Sequence, residues 1–225
     1  MKKSLIITIT AVLSVLLLAS CGTTKKTAFP KMYEEEPVVM LVMPPINNSS
    51  AADAKDYFYT TMNVPIAESG YYVLPPAMTM ATLQRESAYD SEMFIEGDLK
   101  KFGQIFGADV AIFTVIKSWD KSIIGSQITI KIEYIFKSTK TNEIVYHRDA
   151  QIICDTSTGA SGNGLMALVV LVADAIKTAA SDYIPVAVKC NNAALSDIPV
   201  GKYSARHGVD GADSAMNTKV KLRTR

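Results

Sequence analysis

The chain has 225 residues, 48% of them hydrophobic, with 23 basic and 22 acidic side chains and a formal net charge of +1. This composition excludes a disordered polyelectrolyte and suits one globular domain of ordinary size. The balanced charge also excludes the strongly basic folded surface that nucleic-acid binding requires.

At the N-terminus, Lys2 and Lys3 precede an apolar run from Leu5 to Ala19, which closes on Leu18-Ala19-Ser20-Cys21. Charge, length, small residues and cysteine follow one another as in a lipoprotein signal peptide over residues 1–20. On this reading the Cys21 thiol takes a diacylglycerol, the chain is cut before it, and the freed amine is acylated. The run is shorter than the ~20 residues of a membrane span, which argues against a transmembrane anchor. Thr23, two positions on, is not the aspartate that resembles an inner-membrane retention signal. An outer-membrane address facing the periplasm is therefore expected. Residues 21–36 are polar and include Glu34-Glu35-Glu36, so they read as a lipidated, flexible tether. A chain of that length has an r.m.s. reach of roughly 20 Å.

A single domain over residues 37–201 follows. Val38 to Met43 is a continuous apolar run ended by Pro44-Pro45, as in a strand buried on both faces. Asn47, Asn48, Ser49 and Ser50 are potential N-caps for a helix from about Ala52 to Ser69. Pro65 should kink or restart that helix, and Gly70 should cap it. Tyr71 to Leu74 is a short strand, which completes a βαβ unit. Helices are expected near 78–87 and 92–106, the second capped by Gly107.

Three longer strands come next. Residues 109–119 carry apolar side chains on both faces, Val110, Ile112 and Ile116 against Phe113, Val115 and Trp119. Residues 126–137 alternate, with Ile128, Ile130, Ile132, Tyr134 and Phe136 facing one way. Residues 143–154 follow a turn at Thr141-Asn142. These three predict an antiparallel meander. After the glycine-rich loop Thr158–Gly164, an apolar helix is expected at about 165–183, then a shorter helical piece after Pro185. The fold class is thus α/β (α+β), with a mixed five-stranded sheet and a C-terminal helix. Residues 202–225 hold six basic and two acidic side chains without periodicity and read as a basic flexible tail.

Patterns that carry chemistry are scarce. His147 and His207 have no metal-ligand spacing, and Gly159-Ala160-Ser161-Gly162-Asn163 fails as a nucleophile elbow at its last position. Gly164 meets Leu165-Met166 rather than the Lys-Ser/Thr of a phosphate loop. No catalytic residue, metal or cofactor is expected. Cys154 and Cys190 fit either a disulfide, which an exported compartment permits, or buried free thiols. Pro44, Pro45, Asn47, Asn48 and Ser49 lie at the carboxyl end of a parallel strand, where open α/β sheets favour ligands. The nine apolar residues Leu165 to Ala173, including Leu168, Val169 and Val172, need cover on all sides. They are candidates for packing on the sheet, on another protein or on a second copy.

The stretch from Thr27 to Tyr203 resembles a family of bacterial lipoproteins that includes a meningococcal vaccine-candidate antigen. Thr27-Ala28-Phe29, Met43 to Ser49, Phe58-Tyr59, Pro65, Glu68 to Val73, Phe106 to Asp109, Trp119 and Gly201-Lys202-Tyr203 carry the resemblance. It implies a domain similar to the amino-terminal domain of TolB and the periplasmic domain of the curli secretion lipoprotein CsgG. It also implies encoding beside a CsgG-like lipoprotein and a second small lipoprotein, and hence a shared envelope complex. Cys154, Cys190 and the basic tail depart from the family pattern. Two functions stand as expectations. One is a non-enzymatic subunit of an envelope secretion or assembly complex. The other is a periplasmic binding module for a cell-wall or small anionic ligand.

Overall fold

The computed structural model describes residues 22–122, 127–155 and 183–224. Helices α1 (Lys25–Ala28) and α2 (Pro30–Glu35) lead into β1 (Val39–Val42) and β2 (Ile46–Asn47). Then come α3 (Ala54–Thr61), α4 (Asn63–Glu68), β3 (Tyr72–Val73), α5 (Pro76–Arg85), α6 (Glu92–Ile95) and α7 (Lys100–Phe106). The meander is β4 (Val110–Ser122), β5 (Gln127–Ser138) and β6 (Ile144–Asp155). Helix α8 (Tyr183–Ala194), a 3-10 turn (Asp210–Ala212) and β7 (Lys219–Thr224) complete the described chain. Among these residues no helix is long and apolar enough to cross a membrane.

The fold is mixed α/β, and its sheet has seven strands in the order β3-β1-β4-β5-β6-β7, with β2 paired to β4. β3, β1 and β4 run parallel, while β4, β5 and β6 are antiparallel. The five-stranded expectation is therefore corrected by two strands. β2 is a two-residue rung after Pro44-Pro45, too short to show a period, with Ile46 opposite Val115. β7 lies parallel to β6 and comes from the segment read as a tail.

Two cores flank the sheet. Met40 and Val42 of β1 join Phe58, Met62 and Ile66 on one face, while Leu41 and Met43 join Leu83, Leu99 and Phe102 on the other. The five alternating residues of β5, from Ile128 to Phe136, are fully buried on the first face. One face assignment is overturned. A bulge in β4 between Ile116 and Ser118 inserts a residue and resets the alternation. Trp119 consequently sits with Ile116, its indole edge-on to Phe58 with ring centroids 5.9 Å apart.

The helices break where local chemistry competes with the ladder. The expected helix 52–69 divides at Met62, with Pro65 in the first turn of α4, and Gly70 follows at φ 91°. The expected helix 92–106 divides around Gly97-Asp98, where Asp98 accepts from the Lys100 N–H and from the Asn142 amide. Gly107 caps α7 in the left-handed conformation.

Both terminal segments are folded rather than flexible. Phe29 and Met32, three positions apart, bring α1 and α2 onto the first core, with the Phe29 ring 4.6 Å from Tyr146. Two apolar residues in a polar stretch show no periodicity, which is why residues 21–36 read as a tether. The Lys25 ammonium is buried, 3.2 Å from Asp210 and 3.1 Å from the Ile198 carbonyl. The Lys25 N–H donates to the Asp213 carbonyl, and the Ala215 N–H donates to Thr23, both at 2.8 Å. In β7, Val220 and Leu222 pack toward the core while Lys219, Lys221 and Arg223 face solvent.

Arg148 holds these pieces together. It occupies an inward position of β6 and is fully buried. Its guanidinium makes two 2.6 Å bonds to Asp197 and donates to the Ala194 and Asn217 carbonyls. Asp197 also accepts from the Met216 N–H at 2.6 Å. Removing one partner of a buried pair strands the other charge. Asp197→Ala is therefore expected to lower unfolding free energy in urea titrations by about 3–5 kcal/mol. Arg148→Met combined with Asp197→Leu should cost less than the sum of its parts.

Candidate functional site

The carboxyl end of β1 opens into a cleft of about 600 Å³. One wall is Pro44, Pro45, Ile46 and Asn47, and the second is Lys55, Asp56 and Tyr59 of α3. The third is Met80 and Gln84 of α5 with Tyr89, Asp90, Ser91 and Glu92. The Ser91 hydroxyl donates to the Pro44 carbonyl at 2.6 Å and joins the first and third walls. The Tyr59 hydroxyl donates to the Pro76 carbonyl at 2.8 Å and fixes α3 against α5. The size suits a small ligand, and the rim carries three carboxylates, Asp56, Asp90 and Glu92, against Lys55.

The structure divides the five loop residues singled out in the sequence. Pro44, Pro45 and Asn47 line the cleft, whereas Asn48 and Ser49 are not among its lining residues. The Asn47 amide is consumed within the loop. Its oxygen accepts from the Ser49 N–H at 3.1 Å and the Ser49 hydroxyl at 2.7 Å. Its nitrogen donates to the Ala51 carbonyl at 2.8 Å. This is an Asx-type turn that shapes the entry to α3. The Asn48 side chain is exposed, and its backbone N–H donates to the Ile116 carbonyl at 2.9 Å. The third wall escaped sequence reasoning because nothing local to 80–92 marks its return to the end of β1. Cys21, Leu165, Leu168, Val169, Val172 and the Thr158–Gly164 loop lie outside the described residues.

Cys154 of β6 and Cys190 of α8 meet inside the first core, with their sulfurs unbonded and 3.7 Å apart. The Cys190 thiol and the Thr224 hydroxyl donate toward Cys154, which lowers the Cys154 pKa despite burial. The same bond and burial push the Cys190 pKa up.

On the other face of β5 and β6, His147 Nε2 lies 2.6 Å from Glu133, which also pairs with Lys117 at 2.8 Å. Lys117 reaches Asp149 at 3.2 Å. Burial raises the Glu133 pKa, but Lys117 and His147 outweigh it and hold the carboxyl below its usual range. These groups neutralise one another along the strands. Among the described residues no cluster of three or more His, Cys, Asp or Glu side chains could hold a metal ion.

A sheet of this topology, with helices on both faces and its N-terminal segment packed against the core, defines an α/β domain built on a mixed sheet. Residues 27–201 match the family described as "Putative lipoprotein GNA1162-like", and the chain belongs to that family. It is 26% identical over 185 residues to "Putative lipoprotein NMB1124/NMB1162" of Neisseria meningitidis serogroup B, covering 80% of this chain and 84% of that relative. The crystal structure of lipoprotein GNA1162 from Neisseria meningitidis is similar at TM-score 0.49 and 23% identity, over 65% of this chain and 100% of that one. The PelC dodecamer from Paraburkholderia phytofirmans is similar at TM-score 0.41 and 10% identity, over 72% and 89%. For the LpoB C-terminal domain from Salmonella enterica the values are 0.37 and 12%, over 57% and 94%.

Two outcomes follow from this geometry. Asn47→Ala should lower stability by about 1–2 kcal/mol in thermal denaturation, because it removes the bonds that close the loop. Asn48→Ala should stay within about 0.5 kcal/mol of the parent. The sulfur pair should close to a disulfide when the purified protein is treated with oxidised glutathione. Both thiols of the denatured chain then resist alkylation until reductant is added, and unfolding free energy rises by about 4 kcal/mol on the loop-entropy rule. Two alkylatable thiols after oxidation would refute this.

Proposed function

We propose that this chain is a non-enzymatic envelope lipoprotein, anchored through Cys21 at the outer membrane and facing the periplasm. It works as a subunit of a secretion or assembly complex. Membership of a lipoprotein family and the signal sequence ending at Cys21 support the anchor.

The observation that carries the assembly role is the outer surface of the α5–α7 layer. Met78, Met93 and Ile105 are 71%, 69% and 57% exposed there. Ile105 borders a recess of about 250 Å³ lined mostly by apolar side chains, Leu83, Ala88, Phe94, Phe102 and Phe106, together with Glu86, Asp98 and Lys101. Exposed methionines on this layer, together with a recess whose lining is largely aromatic, support a protein contact, since methionine and aromatic side chains are enriched in interface cores. The partners this reading names are a CsgG-like lipoprotein, a second small lipoprotein, or another copy of the chain. The apolar segment 165–183, expected from its sequence to be helical, is a further contact on the same reading, through Leu165, Leu168, Val169 and Val172.

The cleft at the end of β1 gives less support to the alternative of a small anionic ligand. Its three carboxylates would repel such a ligand, and Lys55 alone does not offset them.

Crosslinking in living cells with a tagged, lipidated copy, followed by purification from the outer-membrane fraction, tests the reading. The expected result is a captured envelope lipoprotein or pore that is lost when Met78→Glu and Met93→Glu are introduced together. The variant should keep the parent's melting temperature, because both side chains are exposed. A chain that stays monomeric and captures no protein would overturn the assembly role.

A further inference from the structure

The N-terminal segment that reads as a tether is bound to the domain from its first residues onward. The Thr23 carbonyl accepts from the Ala215 N–H at 2.8 Å, and Thr24 pairs with Ser214 in an antiparallel bridge. The Lys25 N–H donates to the Asp213 carbonyl at 2.8 Å, and the Lys25 ammonium is buried against Asp210. Residues 23–25 therefore have a fixed place at the corner formed with 210–215.

Cys21 precedes Thr23 by two positions. Two residues span at most about 7 Å, compared with the roughly 20 Å r.m.s. reach of a free fifteen-residue tether. A lipid on Cys21 would put its glycerol at the level of the headgroups, and the headgroup layer is itself about 5–7 Å deep. The corner around Thr23 then has no room to leave the bilayer surface.

The surface of that corner fits such contact. Val209 is 69% exposed at the end of a turn that carries Gly208 at φ 76°. Lys26 and Arg206 are exposed near it, and Arg206 is paired to Asp213 at 2.8 Å. Val209 with the exposed Lys26, which lies against Gly211, gives the corner an apolar tip beside a basic side chain, a pairing that suits a lipid interface.

We infer that the domain is docked in one orientation on a phospholipid bilayer through the corner made by Thr23–Lys26 and Arg206–Ser214. Val209 lies at the headgroup plane. The α1–α2 side of the sheet faces the membrane, and the α5–α7 layer, on the other face, is presented to the periplasm. This inference rests on the lipid anchor at Cys21 proposed above.

The test uses the full chain, lipidated in cells and reconstituted into phosphatidylethanolamine–phosphatidylglycerol vesicles. A benzophenone amino acid replaces either Val209 or Met78, both exposed, so neither replacement disturbs the core. Irradiation should give phospholipid adducts at Val209 about an order of magnitude more often than at Met78. Equal labelling at the two sites, or none at Val209, with acyl chains present on Cys21 by mass spectrometry, would overturn the orientation and leave the anchor standing. An unmodified Cys21, or a Cys21→Ser variant that remains with the membrane fraction, would overturn the anchor, and the orientation with it.

Discussion

The buried Arg148–Asp197 pair is the constraint on which the rest of the domain depends. Arg148 sits in β6, one strand in from the β7 edge, on an apolar face among Tyr146, Ala150 and Ile152. A guanidinium there is tolerable only if its charge and its donors are matched. Asp197 supplies the charge, the Ala194 and Asn217 carbonyls accept further bonds, and the Phe29 ring stands 5.8 Å from the guanidinium carbon. These partners come from α8, the segment after it, the approach to β7 and the N-terminal helices. One side chain thereby joins three regions that are distant in sequence: the N-terminal helices, the end of α8 with the residues after it, and the approach to β7. The same carboxylate holds the Met216 N–H, which fixes the level at which β7 joins β6.

Much of the central sheet is legible in the sequence because its strands obey simple periods. Val38 to Met43 is apolar throughout and is buried on both faces, while β5 alternates and is buried on one. The rest is less legible for identifiable reasons. Trp119 changes face because a bulge adds one residue, and an alternation pattern contains no mark of where that residue falls. Residues 23–36 join the core chiefly through Phe29 and Met32, with Ala28 beside them, and their order also comes from pairing with residues more than a hundred positions away. Arg148 looks like any strand charge until its partners arrive from other elements. Of the candidate site, Pro44, Pro45 and Asn47 were visible as the end of a parallel strand. The α5 wall with Asp90 and Glu92 was not, since it depends on how α5 crosses the sheet.

The two faces of the sheet are chemically distinct. The face under α1–α4 and α8 is closed by a large core that includes the sulfur pair. The other is covered by α5–α7 over β1 and β4, while further along β4–β6 it carries Lys117, Glu133, His147 and Asp149 in a chain of contacts. That charged ladder keeps the uncovered strands soluble without a ligand, in the way that charges blunt exposed sheet surface elsewhere. Among the described residues, the exposed Met78, Met93 and Ile105 lie on the α5–α7 side, amid charged side chains such as Arg85, Glu92 and Lys101, and not on the charged β4–β6 ladder.

The pairing of Lys25 with Asp210 bridges 185 positions. Contacts of such separation form late, since the intervening chain must be ordered first. The N-terminal strap therefore cannot close until nearly the whole polypeptide is available, and β7 must be added last to a sheet begun at β1. During synthesis the emerging chain has no finished fold to adopt. With the export signal proposed for residues 1–20, that delay keeps the precursor threadable through a narrow translocation pore. With the lipid proposed at Cys21, maturation is coupled to arrival, because Thr23 is locked in place only when the far end of the chain reaches it.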